Sequence, residues 1–501
     1  MKRKNIIPYI AIALLVLLTT NACLKKELSD YDPHKIEEIQ LDAGLEDRYL
    51  LKVGEVLSIS PDLAKEGLNP NDYTFKWYYY PSKANSEEVR VAAGSTPDLL
   101  LESTMATGDY YLVLEAENNS TKVKYFKKMS LVVRRPTSEG WLLLTYKNNK
   151  TNLSIVTPEY IVVKDFLVPT SQYPMSEKPV ELICMNDWDA TVQPIAIRTE
   201  EPQIYFLDHN TFEVKSTAND AFVSGTTTQF DFFAADMWYQ MYYLKDTEGN
   251  LYVTSRGSGE DDNFPSGFSD AMLGNYIASP VLIPTESSYP VQVVIYDIQG
   301  KRFLYQPSFE SILSPFQAKD PTSPFDLSNF TDRIVYSGLG AGVKSYIVGA
   351  DNQNKYSLYE LIMDGGAKPS ALDAYPASFK QPITVPGHAE PRLFALSGKL
   401  PMLYFIAGNN LYLYKMNEQF CELVYSFPSD ETVVSLKMLR QPITSTLPAA
   451  DNRLAIAAND SEGGIFYTFD LLPTGLIKGN NYATRIDGFD PIVDIVYKES
   501  K

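Results

Sequence analysis

The chain is poor in the residues that build metal centres and covalent frameworks. Its 501 residues include three cysteines, three histidines and four tryptophans. Three cysteines exclude a disulfide-framed scaffold. Three histidines leave little room for a histidine-rich metal site. Positive charge is also short: 44 Lys+Arg against 62 Asp+Glu give a formal net charge of −18. Such a balance argues against nucleic acid and anionic membrane surfaces as electrostatic partners. No stretch sustains a helical period, and past residue 22 there is no long apolar run. A Gly-x-Ser-x-Gly elbow and a His-Glu-x-x-His pair are both missing. The reading therefore assigns no catalytic residue, no metal and no cofactor.

Tyrosine and phenylalanine are plentiful, at 34 and 24 residues. They recur with Val and Ile in short runs punctuated by Gly, Asn, Asp and Pro, the pattern of strands between turns. The expected fold class is all-β.

Residues 1–22 read as an export signal. Lys2, Arg3 and Lys4 precede an apolar stretch from Ile6 to Leu18. That stretch is short of the roughly 20 residues a bilayer span needs. Ala22 and then Cys23 follow, the arrangement of a bacterial lipoprotein whose cysteine is acylated. Removal of 1–22 takes away three cations and no anion, which brings the charge from −18 to about −21. An acylated terminus anchors through its chains at roughly 0.8 kcal/mol per buried CH₂. Residues 23–36 are polar and read as a tether.

Residues 37–135 carry six strand candidates. Phe75, Trp77 and Tyr79 fall on one face of the third, so Trp77 is expected in a sandwich core. In the run beginning Gly108-Asp109-Tyr110, alternate residues Tyr110, Leu112, Leu114 and Ala116 point inward. A Gly-x-Tyr there suits a tyrosine corner. The unit resembles a PKD-type, immunoglobulin-like sandwich.

From residue 136 to 501 one pattern repeats: an apolar strand, a turn, and a second strand rich in aromatics. Copies begin at Trp141, Ala196, Met241, Val291, Ser345, Met402 and Leu454. Seven hairpins at intervals of about 50 residues predict a seven-bladed β-propeller. A further strand precedes most hairpins but not the first. A lone strand, Pro491–Tyr497, ends the chain. It is expected to join the blade begun at Trp141 and close the ring.

Several segments carry residues suited to chemistry. Gly338–Gly342 lacks the following helix that phosphate binding needs and reads as an interstrand loop. His34, His209 and His388 read as surface histidines. The runs 260–263 and 186–189 gather oxygen ligands without EF-hand spacing. Cys184 and Cys421 read as buried thiols, with pairing between them left open. Aromatics in expected connections make the better binding candidates. These are Trp188, Trp238, Tyr239, Phe264 and Phe268, with packing inside the blades as the alternative role.

A lipidated Cys23, a sandwich marked by Trp77 and Gly108–Tyr110, and Glu139-Gly140-Trp141 entering a propeller together resemble the PKD-like lipoproteins of Bacteroidetes. The resemblance implies an outer-membrane, surface-exposed lipoprotein serving a Sus-like uptake system. Implied partners are a TonB-dependent transporter, its substrate-binding lipoprotein, and a peptide or oligosaccharide ligand. Membrane contact would be through the lipid alone, with no nucleic acid. Two rivals are a capture propeller for a cobamide-like cofactor and a polysaccharide- or peptide-cleaving enzyme.

Overall fold

The structure is a computed structural model. It describes residues 41–63, 69–83, 89–184, 194–235, 241–255, 265–285, 291–307, 310–317, 321–363, 375–439 and 452–499. The expected signal and tether, with Cys23, lie outside these residues, as do Trp188, Trp238, Tyr239, Phe264 and both acidic runs. The chain divides into two compact units, 1–135 and 136–501.

The first unit is a sandwich of two sheets. Its strands are β1 (Arg48–Lys52), β2 (Val56–Ile59), β3 (Tyr73–Pro81), β4 (Val91–Gly94), β5 (Leu99–Glu102), β6 (Gly108–Asn118) and β7 (Lys124–Arg134). One sheet runs β1-β7-β6-β3-β4 and the other pairs β2 with β5. Successive side chains of the long β3, β6 and β7 point to opposite faces, and the face holding Phe75, Trp77, Leu112, Leu114, Met129 and Leu131 forms the core. Trp77 is 1% exposed among Phe75, Leu112, Leu114 and Leu131. Its indole N–H donates to the carbonyls of Thr96 and Pro97, both at 3.1 Å, which satisfies its polar atom. The Tyr110 hydroxyl donates back to the Ala106 carbonyl at 2.9 Å and forms the tyrosine corner. Strand β4 was not expected from sequence; four residues, none of them buried, give little periodic signal.

The second unit is a seven-bladed propeller. Its blades comprise β8 (Gly140–Lys147), β9 (Lys150–Val156) and β10 (Val162–Val163); β11 (Pro179–Cys184), β12 (Ile195–Thr199), β13 (Ile204–Leu207) and β14 (Val214–Thr217); and β15 (Phe230–Ala235), β16 (Met241–Asp246) and β17 (Leu251–Ser255). Next come β18 (Ala278–Ile283), β19 (Val291–Asp297), β20 (Arg302–Pro307) and β21 (Ser314–Pro315), then β22 (Arg333–Leu339), β23 (Ser345–Ala350), β24 (Tyr356–Leu361) and β25 (Ala377–Ile383). The last two are β26 (Pro391–Leu396), β27 (Met402–Ala407), β28 (Asn410–Lys415) and β29 (Phe420–Ser426), and β30 (Thr432–Met438), β31 (Arg453–Asn459), β32 (Gly464–Asp470) and β33 (Thr484–Phe489).

The final strand β34 (Ile492–Lys498) pairs antiparallel with β8, so blade 1 reads β34-β8-β9-β10. This is the closure expected from the sequence. The first hairpin turns at Asn148 and Asn149, both with positive φ, as a two-residue hairpin turn requires. Gly140 has φ +141°, and a Cβ there would strike the Val156 carbonyl, so the entry to β8 needs glycine. Strand β18 escapes a sequence reading because Pro280 interrupts it. Proline is tolerated there because the β18–β19 register breaks between Ala278 and Leu282.

Candidate functional site

The inner strands of the blades are β34, β11, β15, β18, β22, β26 and β30. In every one the register against the neighbouring strand shifts near its start. The breaks fall at Pro179/Glu181, Phe230/Phe232, Ala278/Leu282, Ile334/Tyr336, Arg392/Phe394, Val433/Ser435 and Ile492/Asp494. A bulge adds a residue, bends the strand and re-aims the side chains that follow. Six of these inner strands share the same offset, so equivalent positions line one level of the ring. At Leu393 the bulge forces φ to +51°, a conformation leucine rarely adopts.

A cavity of about 600 Å³ lies along these strands. One flank is polar: Glu181 from blade 2, Ser435 and Lys437 from blade 7, and Asp494 from the closing strand. The other flank is largely apolar, with Tyr336, Leu393, Phe394 and Leu396 from blades 5 and 6.

Asp494 is the hub of the polar flank. It accepts from the Ser435 hydroxyl at 2.7 Å, the Leu182 N–H at 3.1 Å and its neighbour Ile495 N–H at 2.9 Å. Lys437 Nζ stands 3.4 Å from the same carboxylate. The carboxylate thus ties blade 1 to blades 2 and 7. Burial disfavours charge on Lys437, but Asp494 and then Glu181 outweigh it and hold the amine above the usual lysine range. Glu181 accepts from Arg198 Nε at 2.9 Å. Both acids therefore accept hydrogen bonds, while the apolar flank offers surface for packing.

A second arrangement recurs away from the cavity, in blades 2, 5 and 7. A tyrosine on the third strand donates its hydroxyl to an acid one or two residues before the inner strand. The pairs are Tyr205–Glu177 at 2.9 Å, Tyr359–Asp332, and Tyr467–Glu431 at 2.8 Å. Arg485 joins the last, donating to the Tyr467 oxygen at 3.0 Å. Burial first, then the acid, raises all three phenols well above the ordinary tyrosine value. Sequence reading missed these pairs. Their only linear signal is an acid just before an inner strand and a tyrosine 27 to 36 residues later.

Of the five aromatic candidates only Phe268 lies among the described residues, and there it takes the alternative role of packing. It is fully buried, bridges Phe222 and stacks on that ring at 5.5 Å. The loop-like composition around it conceals a segment that returns to the sheet. His209 is half-buried in the turn after β13. Burial, then the nearby Lys498, lowers its pKa, with Asp208 opposing. Cys421 is a buried thiol raised to about 11 by burial. No disulfide joins it to Cys184. Among the described residues no group of three or more His, Cys, Asp or Glu side chains is placed to hold a metal ion. No helix among them is long and apolar enough to cross a membrane.

A sequence model of the PKD-like family matches residues 27–179. The match runs past the sandwich and through β8, β9 and β10 to the start of β11. No curated protein matches the chain. Among solved structures, a quinonprotein alcohol dehydrogenase-like protein from Bacteroides thetaiotaomicron is 10% identical, with a TM-score of 0.39. That alignment covers 92% of this chain and 99% of the other. The dihydro-heme d1 dehydrogenase NirN is 8% identical at a TM-score of 0.40, covering 85% of this chain and 75% of its own. The Cps50 (Swd1) β-propeller domain from Myceliophteria thermophila is 12% identical at 0.39, covering 64% and 94%. At these identities the likeness concerns fold alone.

Proposed function

We propose that this chain is a lipid-anchored, non-catalytic binding protein, an accessory part of a Sus-like nutrient-uptake system at the outer-membrane surface. Cys23 would carry the acyl anchor. The tether and sandwich stand between it and the propeller in the chain. The propeller would hold a peptide or oligosaccharide and present it to a TonB-dependent transporter and that transporter's substrate-binding lipoprotein.

One observation carries the binding reading. The central cavity pairs an apolar, partly strained flank with Asp494, already committed to blade-to-blade bonds, and Glu181, held by Arg198 of its own blade. An acid or base working in turnover needs a free proton site within reach of substrate. Asp494 instead accepts three hydrogen bonds that tie blades 1, 2 and 7 together. An apolar surface beside fixed charges suits recognition.

Two measurements test the proposal. Purified mature protein incubated with peptide and oligosaccharide pools is expected to retain ligand with unchanged mass. Cleavage products in mass spectrometry would reject the non-catalytic assignment. Native protein drawn from outer membranes is expected to bring a transporter with it, and its recovery alone in the soluble fraction would reject the membrane assignment.

A further inference from the structure

A second cavity, of about 370 Å³, lies in the propeller beside blades 2 and 3. It is formed by the turn between β12 and β13 and by the connections entering β11 and β15. Glu177, Glu201, Gln203, Asn219, Thr227 and Gln229 are among its lining. Pro202 excepted, each lining residue bears a hydrogen-bonding side chain, and none of them is cationic. The composition is the reverse of the central cavity, which has an apolar flank.

The walls are fixed before any ligand arrives. Gln203 Nε2 donates to Asn219 Oδ1 at 3.0 Å. Asn219 Nδ2 in turn donates to the carbonyls of Thr226 at 2.9 Å and Thr228 at 2.8 Å. The Thr226 hydroxyl donates to Thr228 Oγ1 at 2.9 Å. Tyr205 holds Glu177 from behind at 2.9 Å. Against this scaffold Glu201, Thr227 and Gln229 are exposed at the opening. Fixed donors and acceptors cost a ligand less ordering than mobile ones.

We infer that this cavity binds a neutral, hydroxyl-rich ligand, a sugar unit or two of an oligosaccharide. Sugar hydroxyls both donate and accept. Carboxylates and amide oxygens would take their protons, and amide N–H and threonine O–H groups would serve their oxygens. Two carboxylates with no lining cation disfavour uronates, phosphates and sulfated sugars. No third acid, histidine or cysteine completes a metal site among the described residues. The inference rests on the binding reading and adds to it a second place, apart from the central cavity, and a ligand class.

The test is titration calorimetry of the mature protein with neutral, amino-sugar and uronate oligosaccharides. Thr227→Trp fills the opening, and Glu201→Ala removes an exposed acceptor. Neither side chain makes a bond that the fold depends on. Lys437→Met disturbs the central cavity for comparison. Expected is binding of a neutral oligosaccharide that weakens at least tenfold in T227W and E201A. Binding lost in K437M alone overturns this site and leaves the binding reading standing. Binding of amino sugars or uronates only, or of no oligosaccharide, also overturns it. Cleavage of the bound sugar would reject the non-catalytic reading while leaving the site in place.

Discussion

The sandwich and the propeller are both tyrosine-rich β-structures, yet they use the residue differently. In the sandwich the faces of the rings matter. Arg90 lies 4.8 Å from the Tyr78 centroid, and Lys128 lies 3.4 Å from that of Tyr111. Tyr110 bonds only to a nearby carbonyl. In the propeller the hydroxyls matter, donating to Glu177, Asp332, Glu360, Glu390, Glu431 and Glu139. Two sheets joined by short connections need little beyond a packed core. A ring of blades must also fix each connection that feeds an inner strand, and a directional bond to a charged acceptor does so.

The largest break in this comparison is deletion of residues 490–501. It removes β34, with buried Ile492 and Ile495 and the Asp494 bonds. Each buried isoleucine contributes about 2–5 kcal/mol. Calorimetry is expected to show the propeller transition lost or lowered by more than about 10 °C, with the sandwich transition in place. An unchanged propeller transition would remove the closure argument. Next is Trp77→Ala, expected to cost about 3–5 kcal/mol. It should lower the sandwich transition alone.

Alkali sharpens the contrast. Burial, chiefly, pushes Tyr173, Tyr252, Tyr356, Tyr375 and Tyr414 up to about 12, and Tyr205, Tyr346, Tyr359, Tyr467 and Tyr497 higher still. In the sandwich Tyr78 and Tyr110 are raised. A pKa raised on folding contributes stability that is complete below the unfolded value, about 10 for tyrosine, and is lost as pH climbs toward the folded one. The propeller should therefore lose stability above about pH 10 more steeply than the sandwich. Parallel decline of the two transitions between pH 9 and 12 would contradict this. The smallest effects separate single hydroxyls. Tyr467→Phe should cost about 1–3 kcal/mol by leaving Glu431 short of a donor, and Tyr110→Phe about 0.5–1.5 kcal/mol. Equal losses in urea titrations would show that the charged acceptor adds nothing.

Much of the fold was legible because its units are local. Each blade's central hairpin is contiguous in sequence and marked by its own turn, as at Asn148-Asn149. The unpaired run at the end of the chain betrayed the closure. The site was far less legible. The bulges exist only relative to neighbouring strands, and Asp494 meets Leu182 across 312 residues. Phe268 misled for a related reason. Its segment looks like a loop, yet Phe268 bridges Phe222, Ala271 bridges Tyr252, and Leu273 bridges Ile312. No local period announces such single bridges.

The seam between β8 and β34 has a consequence for how the molecule is made. Lys147 and Asp490 meet across 343 residues, so the edge of β8 waits through the synthesis of six blades for its partner. Contacts that span so much chain form late and slowly. Six blades can collapse in turn as they emerge, but the ring stays an open arc with a bare sheet edge until the last strand arrives. Assembly is thus timed by the arrival of β34, and any chaperone attending it has the β8 edge to guard.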